Sequence, residues 1–212
     1  MAKIKNIIFD LDGVLVDATE WHYEALNKAL GLFGYEITRE EHLSSYNGLP
    51  TRKKLAMLTS QKNMPESLHS FIYKMKQEYT TEYIERCCKP HFDKLMMLHQ
   101  LKKKGYRLAV CSNAIKASVE LMLQKGETMP YFELVLSNQH VENPKPHPEI
   151  YLKAFEMMKI LPEETVIVED SAHGIASAKA SGAHVCEVSG FRDVNINCLI
   201  RFITLVEEKK EV

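Results

Sequence analysis

The sequence predicts an α/β protein, with a doubly wound, mostly parallel sheet as its core and one all-helical insertion. Three observations predict it. Five short runs are apolar at almost every position, the pattern of strands buried on both faces of a parallel sheet. Stretches of helical length and periodicity separate the later runs, as parallel crossovers require. Between the first and second runs, residues 18–88 show helical periodicity and no convincing strand. The spacing divides the chain into a core of residues 1–17 and 89–212 and a helical insert of residues 18–88, with hinges near 17–18 and 88–90.

The elements follow in order. "KNIIFDL" (5–11) is the first strand. "TEWHYEALNKALGLFG" (19–34) reads as a helix capped by Thr19, with Leu26, Ala29, Leu30 and Phe33 on its apolar face. "PESLHSFIYKMKQEYTTEYIERCC" (65–88) places Leu68, Phe71, Ile72, Met75, Tyr79 and Tyr83 at helical spacing. "HFDKLMMLHQLKKKG" (91–105) puts Phe92, Leu95, Met96 and Leu101 near one face, and Gly105 ends that helix after three lysines. The remaining strands are "YRLAVCS" (106–112), "FELVLS" (132–137), "TVIVED" (165–170) and "AHVCEV" (183–188). The charged end, "EEKKEV" (207–212), is expected to be solvated or frayed.

Bulk numbers exclude several classes. Among 212 residues, 27 Lys and Arg nearly cancel 28 Asp and Glu, so no global field draws the chain to nucleic acid or an acidic membrane surface. No apolar stretch approaches the ~20 residues of a membrane span. The start, "MAKIKNIIFD", lacks a small-residue cleavage site, so a cytoplasmic protein is expected, as monomer or weak homodimer. Its five cysteines (87, 88, 111, 186 and 198) form no CxxC pair and read as reduced, mostly structural thiols.

The polar residues at the strand ends could carry chemistry. Asp10 and Asp12, two apart, share one side of the chain just past the first strand, and Gly13 permits a sharp turn behind them. Each could also be a plain strand-end acid; an EF-hand is a poor fit, because a β run precedes the loop and no closing Glu follows. Glu169 and Asp170 end another buried strand, and in a parallel sheet such ends line one edge. Carboxylates gathered with no basic cluster beside them call for a divalent cation, and oxygen-only ligands favour Mg²⁺ over zinc. Asp170 and Ser171 could instead only cap the next helix. Ser112 and Asn113 ahead of a helix suit an anion or a helix cap. Lys145, stiffened between two prolines in "NPKPHPEIY", offers a fixed positive charge for a phosphate.

Asp10-x-Asp12-Gly, Ser112, Lys145 and Glu169-Asp170, in that order and each near a strand end, resemble the four motifs of the haloacid dehalogenase superfamily. The match spans essentially the whole chain. The helical insert after the first motif is similar to the C1 cap of the β-phosphoglucomutase-like and phosphoglycolate phosphatase-like branch, set on a Rossmann-like core. The resemblance implies a Mg²⁺-dependent phosphatase acting on a small phosphorylated metabolite, such as a sugar phosphate, through an aspartyl-phosphate. It implies Asp10 as nucleophile and Asp12 as general acid and base. Ser112, Asn113 and Lys145 would bind the phosphate. Asp10, the Asp12 backbone carbonyl, Glu169 and Asp170 would hold the metal. In the cap, His22, Arg52 of "NGLPTRKKL" and Lys76 occupy positions similar to substrate-facing residues, although each could be an interface or surface group. A phosphosugar mutase is the main alternative, but Ala18 stands in "VDATEWH" where a mutase is expected to carry threonine. A metal-independent dehalogenase and a non-catalytic phospho-ligand binder are the remaining alternatives.

Overall fold

The computed structural model describes residues 3–208; residues 1–2 and 209–212, with most of the charged end, lie outside the described residues. The chain opens with β1 (Asn6–Phe9) and continues through α1 (Thr19–Gly31) and α2 (Arg39–Glu41), which runs into a π-helical turn at His42–Tyr46. Then come α3 (Thr51–Lys62), α4 (His69–Cys87) and α5 (Phe92–Lys103). The second half alternates β2 (Arg107–Cys111), α6 (Lys116–Lys125), β3 (Leu134–Leu136) and α7 (Glu149–Met158). It closes with β4 (Thr165–Glu169), α8 (Ala172–Ala180), β5 (His184–Glu187) and α9 (Ile196–Glu208).

The five strands form one parallel sheet in the order β3-β2-β1-β4-β5, the doubly wound arrangement the apolar runs predict. Side-chain alternation between two covered faces explains why the middles of these runs are apolar. Ile7 and Phe9 join a cluster with Met97, Leu98 and Leu101 of α5 and Leu199 and Ile203 of α9. Ile8, between them, points the other way, into a cluster with Ile150, Tyr151 and Ala154 of α7 and Ala178 of α8. Both faces of β1 are therefore covered, and all four of its residues are buried. Central position and parallel direction bring the carboxyl ends of β1, β2 and β4 to one edge.

The helices between β1 and β2 gather a third apolar cluster: Leu26, Ala29 and Leu30 of α1, Leu55 and Leu58 of α3, and Ile72 of α4, with Tyr46 and Met64. α1 and α4 lie side by side, and the loop at Gly48 reaches back to the core.

Several local expectations need correction. Thr19 does not cap α1; it is the first helical residue, and Ala18, the N-cap, makes no side-chain capping bond. Phe33 and Phe71 are exposed and stack edge-to-face on each other at 5.6 Å. In α5 the buried stripe is Lys94, Met97, Leu98 and Leu101, while Phe92 is 74% exposed and Met96 is exposed. The reason is Lys94: its stem lies in the interior, and its ammonium donates to the carbonyls of Phe191 and Val194, both at 2.5 Å. One satisfied lysine shifts the stripe by a residue. α4 does the same, burying Ile72, Lys76, Thr80 and Ile84 at intervals of one turn.

Candidate active site

β1 delivers Asp10 to the sheet edge, and Gly13 turns the chain there with a φ of 84°. A side chain at Gly13 would overlap the Asp170 carboxylate, so glycine is required both for the left-handed backbone and for the close approach. Lys145, on the loop after β3 and joined to Pro146 by a cis peptide, is 2% exposed. Its ammonium donates to Asp10 Oδ1 at 2.8 Å, Glu169 Oε1 at 2.5 Å and the Cys111 carbonyl at 2.7 Å. The Tyr151 hydroxyl also donates to Glu169 Oε1, at 2.5 Å.

Ser112, fully buried at the end of β2, accepts a hydrogen bond from the Ala114 N–H at 3.0 Å. The Asn113 side chain is spent on backbone: its amide donates to the carbonyls of Gly48 at 2.7 Å and Lys145 at 3.1 Å, and its oxygen accepts from the Lys145 N–H. It ties the loop before α3 to the loop that carries Lys145. Ser171 caps α8 by accepting from the Gly174 N–H.

The helices between β1 and β2 complete the site from above. His22 Nε2 lies 3.0 Å from Asp12 Oδ1, and Lys76 Nζ lies 3.2 Å from His22 Nδ1. A charged Lys76 donates to Nδ1 and leaves the ring proton on Nε2, aimed at Asp12. A side chain on Gly48 would press against Ser171, so the loop before α3 sits directly on the first turn of α8. Between the two halves lies a cavity of about 420 Å³, lined by Asp10, Asp12, Lys145, His22, Lys54 and Lys76 among others. Arg52 stands exposed at its rim, 5.1 Å over the Tyr73 ring.

Electrostatics divide the site. Burial and the neighbouring Glu169 push the Asp10 carboxyl well above its ordinary range, with Lys145 opposing. Burial and Glu169 likewise raise Asp170 to about 7. Burial would also raise Asp12, but His22, Lys76 and Lys54 outweigh it and hold the carboxyl below its ordinary value. Burial and then Lys76 lower His22. Burial would strip Lys145 of its proton, but Asp10 and Glu169 more than compensate and raise it.

Asp10, Glu169 and Asp170 each present a carboxylate oxygen within 4.8 Å of the others. Asp170 Oδ1 and Glu169 Oε2 are buried without a hydrogen-bond partner. With all three ionised, as metal ligands must be, the single charge of Lys145 would leave two negative charges uncompensated. An all-oxygen set with orphaned acceptors and that charge deficit fits a hard divalent cation such as Mg²⁺.

Sequence reasoning missed Lys54 and Tyr151. Lys54 stands in the charged run "RKK" (52–54), yet it is 5% exposed. Its spacing from Thr51, Leu55 and Leu58, all buried on one side of α3, is the signal that would have placed it. Tyr151 reads as core; only the fold reveals its reach to Glu169.

A family model described as haloacid dehalogenase-like hydrolase matches residues 7–188. A phosphorylated carbohydrates phosphatase of Thermotoga maritima is 30% identical over 179 residues, covering 84% of this chain and 82% of the relative. Pyrophosphatase PpaX of Bacillus cereus is 26% identical over 196 residues, covering 88% of this chain and 84% of that one. Among solved structures, β-phosphoglucomutase from Clostridium difficile superposes with a TM-score of 0.82 at 20% identity, covering 95% of this chain and 98% of that one; it shows the shared fold. The matched span takes in all of the sheet but Asn6 and all four acids at the sheet edge, and the chain belongs to the haloacid dehalogenase-like hydrolases.

Proposed function

We propose that the chain is a Mg²⁺-dependent phosphatase acting on a small phosphorylated metabolite, with residues 18–88 forming a cap that closes over the core. One observation carries this reading: Asp10, Asp170 and Lys145 meet at one edge, while Asp12 faces the same cavity from beside His22. The phosphatase and pyrophosphatase names of the relatives support it.

Lys145 engages Asp10 Oδ1, leaving Oδ2 to attack phosphorus. As the Asp10–phosphorus bond forms, the ester bond breaks and the leaving oxygen takes a proton from Asp12. Asp12 then draws a proton from water, which attacks the aspartyl-phosphate and returns Asp10 and inorganic phosphate. Ser112 and Lys145 hold phosphate oxygens, and Asn113 positions the Lys145 loop. Bound by Asp10, Asp170, Glu169 and the Asp12 carbonyl, Mg²⁺ would neutralise the charge of carboxylate and phosphate together. His22 and Lys76 hold Asp12 in place and keep it ionised in the free site, so Asp12 takes up the proton it donates once the negative charge of a substrate joins the cavity.

A panel of phosphate esters assayed with and without Mg²⁺ tests this. Phosphate release that requires the metal supports the reading. Conversion of β-glucose 1-phosphate to glucose 6-phosphate, without phosphate release, would make the chain a mutase instead. Ala18, with no hydroxyl at the hinge, speaks for hydrolysis.

A further inference from the structure

Lys54 acts on Asp12 only through its charge, and no role above gives its ammonium a contact. Its side chain lines the cavity, is 5% exposed, and has no hydrogen-bond or ion-pair partner for its ammonium among the described residues. Lys76 repels its charge, and Asp12 attracts it without touching it. A buried, unpaired ammonium is costly and persists where something else supplies the missing charge.

A second observation shows what that something is. The wall that the insert contributes to the cavity carries Arg52, Lys53, Lys54 and Lys76 and no carboxylate, in a chain whose overall charge is only -1. Every acid of the cavity, namely Asp10, Asp12 and Glu142, lies on the core side. The transferred phosphoryl group belongs to the core side as well, against Lys145. The leaving group therefore faces the cations. Arg52 stacks at the rim and Lys76 is engaged with His22. Lys54 is the buried cation left without a partner. A neutral leaving group would keep it so.

We propose that Lys54 determines specificity by pairing with an oxyanion on the leaving group, so that the preferred substrates are small esters carrying a second anionic group. This rests on the phosphatase reading and narrows its substrate class. A carboxylate and a phosphoryl group offer the same chemistry to an ammonium. A cavity of about 420 Å³ lies toward the small end of ligand sites, consistent with two anionic ends separated by a short spacer.

Matched pairs test it. Phosphoglycolate and 2-hydroxyethyl phosphate differ only in a carboxylate against a hydroxymethyl. Glycerol 1,3-bisphosphate and glycerol 1-phosphate differ in a second phosphoryl group. The proposal expects kcat/KM to favour the anionic member of at least one pair by about 10- to 100-fold, and the pair that shows it identifies the oxyanion. In Lys54→Met the preference falls to near unity, chiefly through KM, while Lys54→Arg retains part of it. Calorimetric binding of the same compounds to Asp10→Asn protein with Mg²⁺ reads the subsite without turnover. Discrimination in binding with no hydrolysis of any ester would sustain the subsite and overturn the phosphatase reading. Equal handling of both members of both pairs would overturn the subsite. So would an equal loss on charged and neutral members in Lys54→Met, or a melting temperature for that variant below wild type, since a lysine held for structure would give either.

Discussion

Lys145 is where this site's charges are reconciled. It is buried, yet it touches two buried carboxylates and a carbonyl, so its removal would leave Asp10 and Glu169 facing each other unpaired. Breaking such a buried pair from one side costs about 3–5 kcal/mol, and Lys145→Met should melt markedly lower and lose turnover. Asp10→Asn is the opposite case. Burial and Glu169 already disfavour the Asp10 charge, so a neutral isostere should melt no lower than wild type in metal-free buffer while turnover disappears. Thermal denaturation beside an activity assay separates the two. Lys54 adds a pH signature. Burial, then Lys76, lowers it to about 7, whereas an unfolded lysine titrates near ~10.4. Between those values the unfolded chain holds the extra proton, so this group makes wild type more stable as pH rises. The stability margin of Lys54→Met over wild type should therefore narrow from pH 7 to pH 9; a constant margin would show that Lys54 keeps its charge throughout that range at its buried position. At this scale three of the motifs were legible because polar residues close an apolar strand, and Lys145 because two prolines flank it. Lys54, Lys76 and Lys94 were harder to read, because a lysine stem buries like an apolar side chain while its letter reads as surface.

At the scale of elements, strands were easier to read than helices. A strand buried on both faces needs no phase to be recognised, and β1, β2 and β4 fell within the predicted runs. Helical faces depend on phase, and one buried polar residue can shift it, as Lys94 does in α5. The cap of α1 was misread because Ala18 stands at the N-cap without a capping side chain. The loop before α3 is the element that most directly joins the two halves. Gly48 has a φ of 76° and lies against Ser171, while its carbonyl accepts from Asn113. Gly48→Ala should hold this loop off α8 and displace His22 and Lys54 from the cavity. Since small misplacements of positioning groups are expensive, kcat/KM should fall by about 10- to 100-fold. A comparable kcat/KM for the variant would mean that the contact does not govern closure.

For the molecule as a whole, the alternation of strands and helices was enough to give the doubly wound sheet, because a parallel sheet admits few other connections. How the helices of residues 18–88 seat on the sheet edge was not legible, since it depends on contacts between segments distant in sequence, such as Asn113 with Gly48 and Asp12 with His22. That seating sets ammonium groups over a core edge where Asp10, Glu169 and Asp170 gather, and those three acids should make stability respond to cations. Mg²⁺ at about a hundred times its dissociation constant adds roughly 2.7 kcal/mol to a protein that binds it only when folded. The wild-type melting temperature should rise accordingly, and Asp170→Asn should show little of the rise. An equal rise in both would place the ion elsewhere.

The proposed chemistry turns on Asp10 as the atom donor to phosphorus. Asp12→Asn protein, which lacks the base for the second step, can be mixed with Mg²⁺ and acetyl phosphate, whose leaving group needs no proton, then quenched in acid and digested for mass spectrometry. The expected result is a phosphoryl group on the peptide that carries Asp10. Consumption of acetyl phosphate with that peptide unmodified, or with the phosphoryl group on another residue, would contradict it.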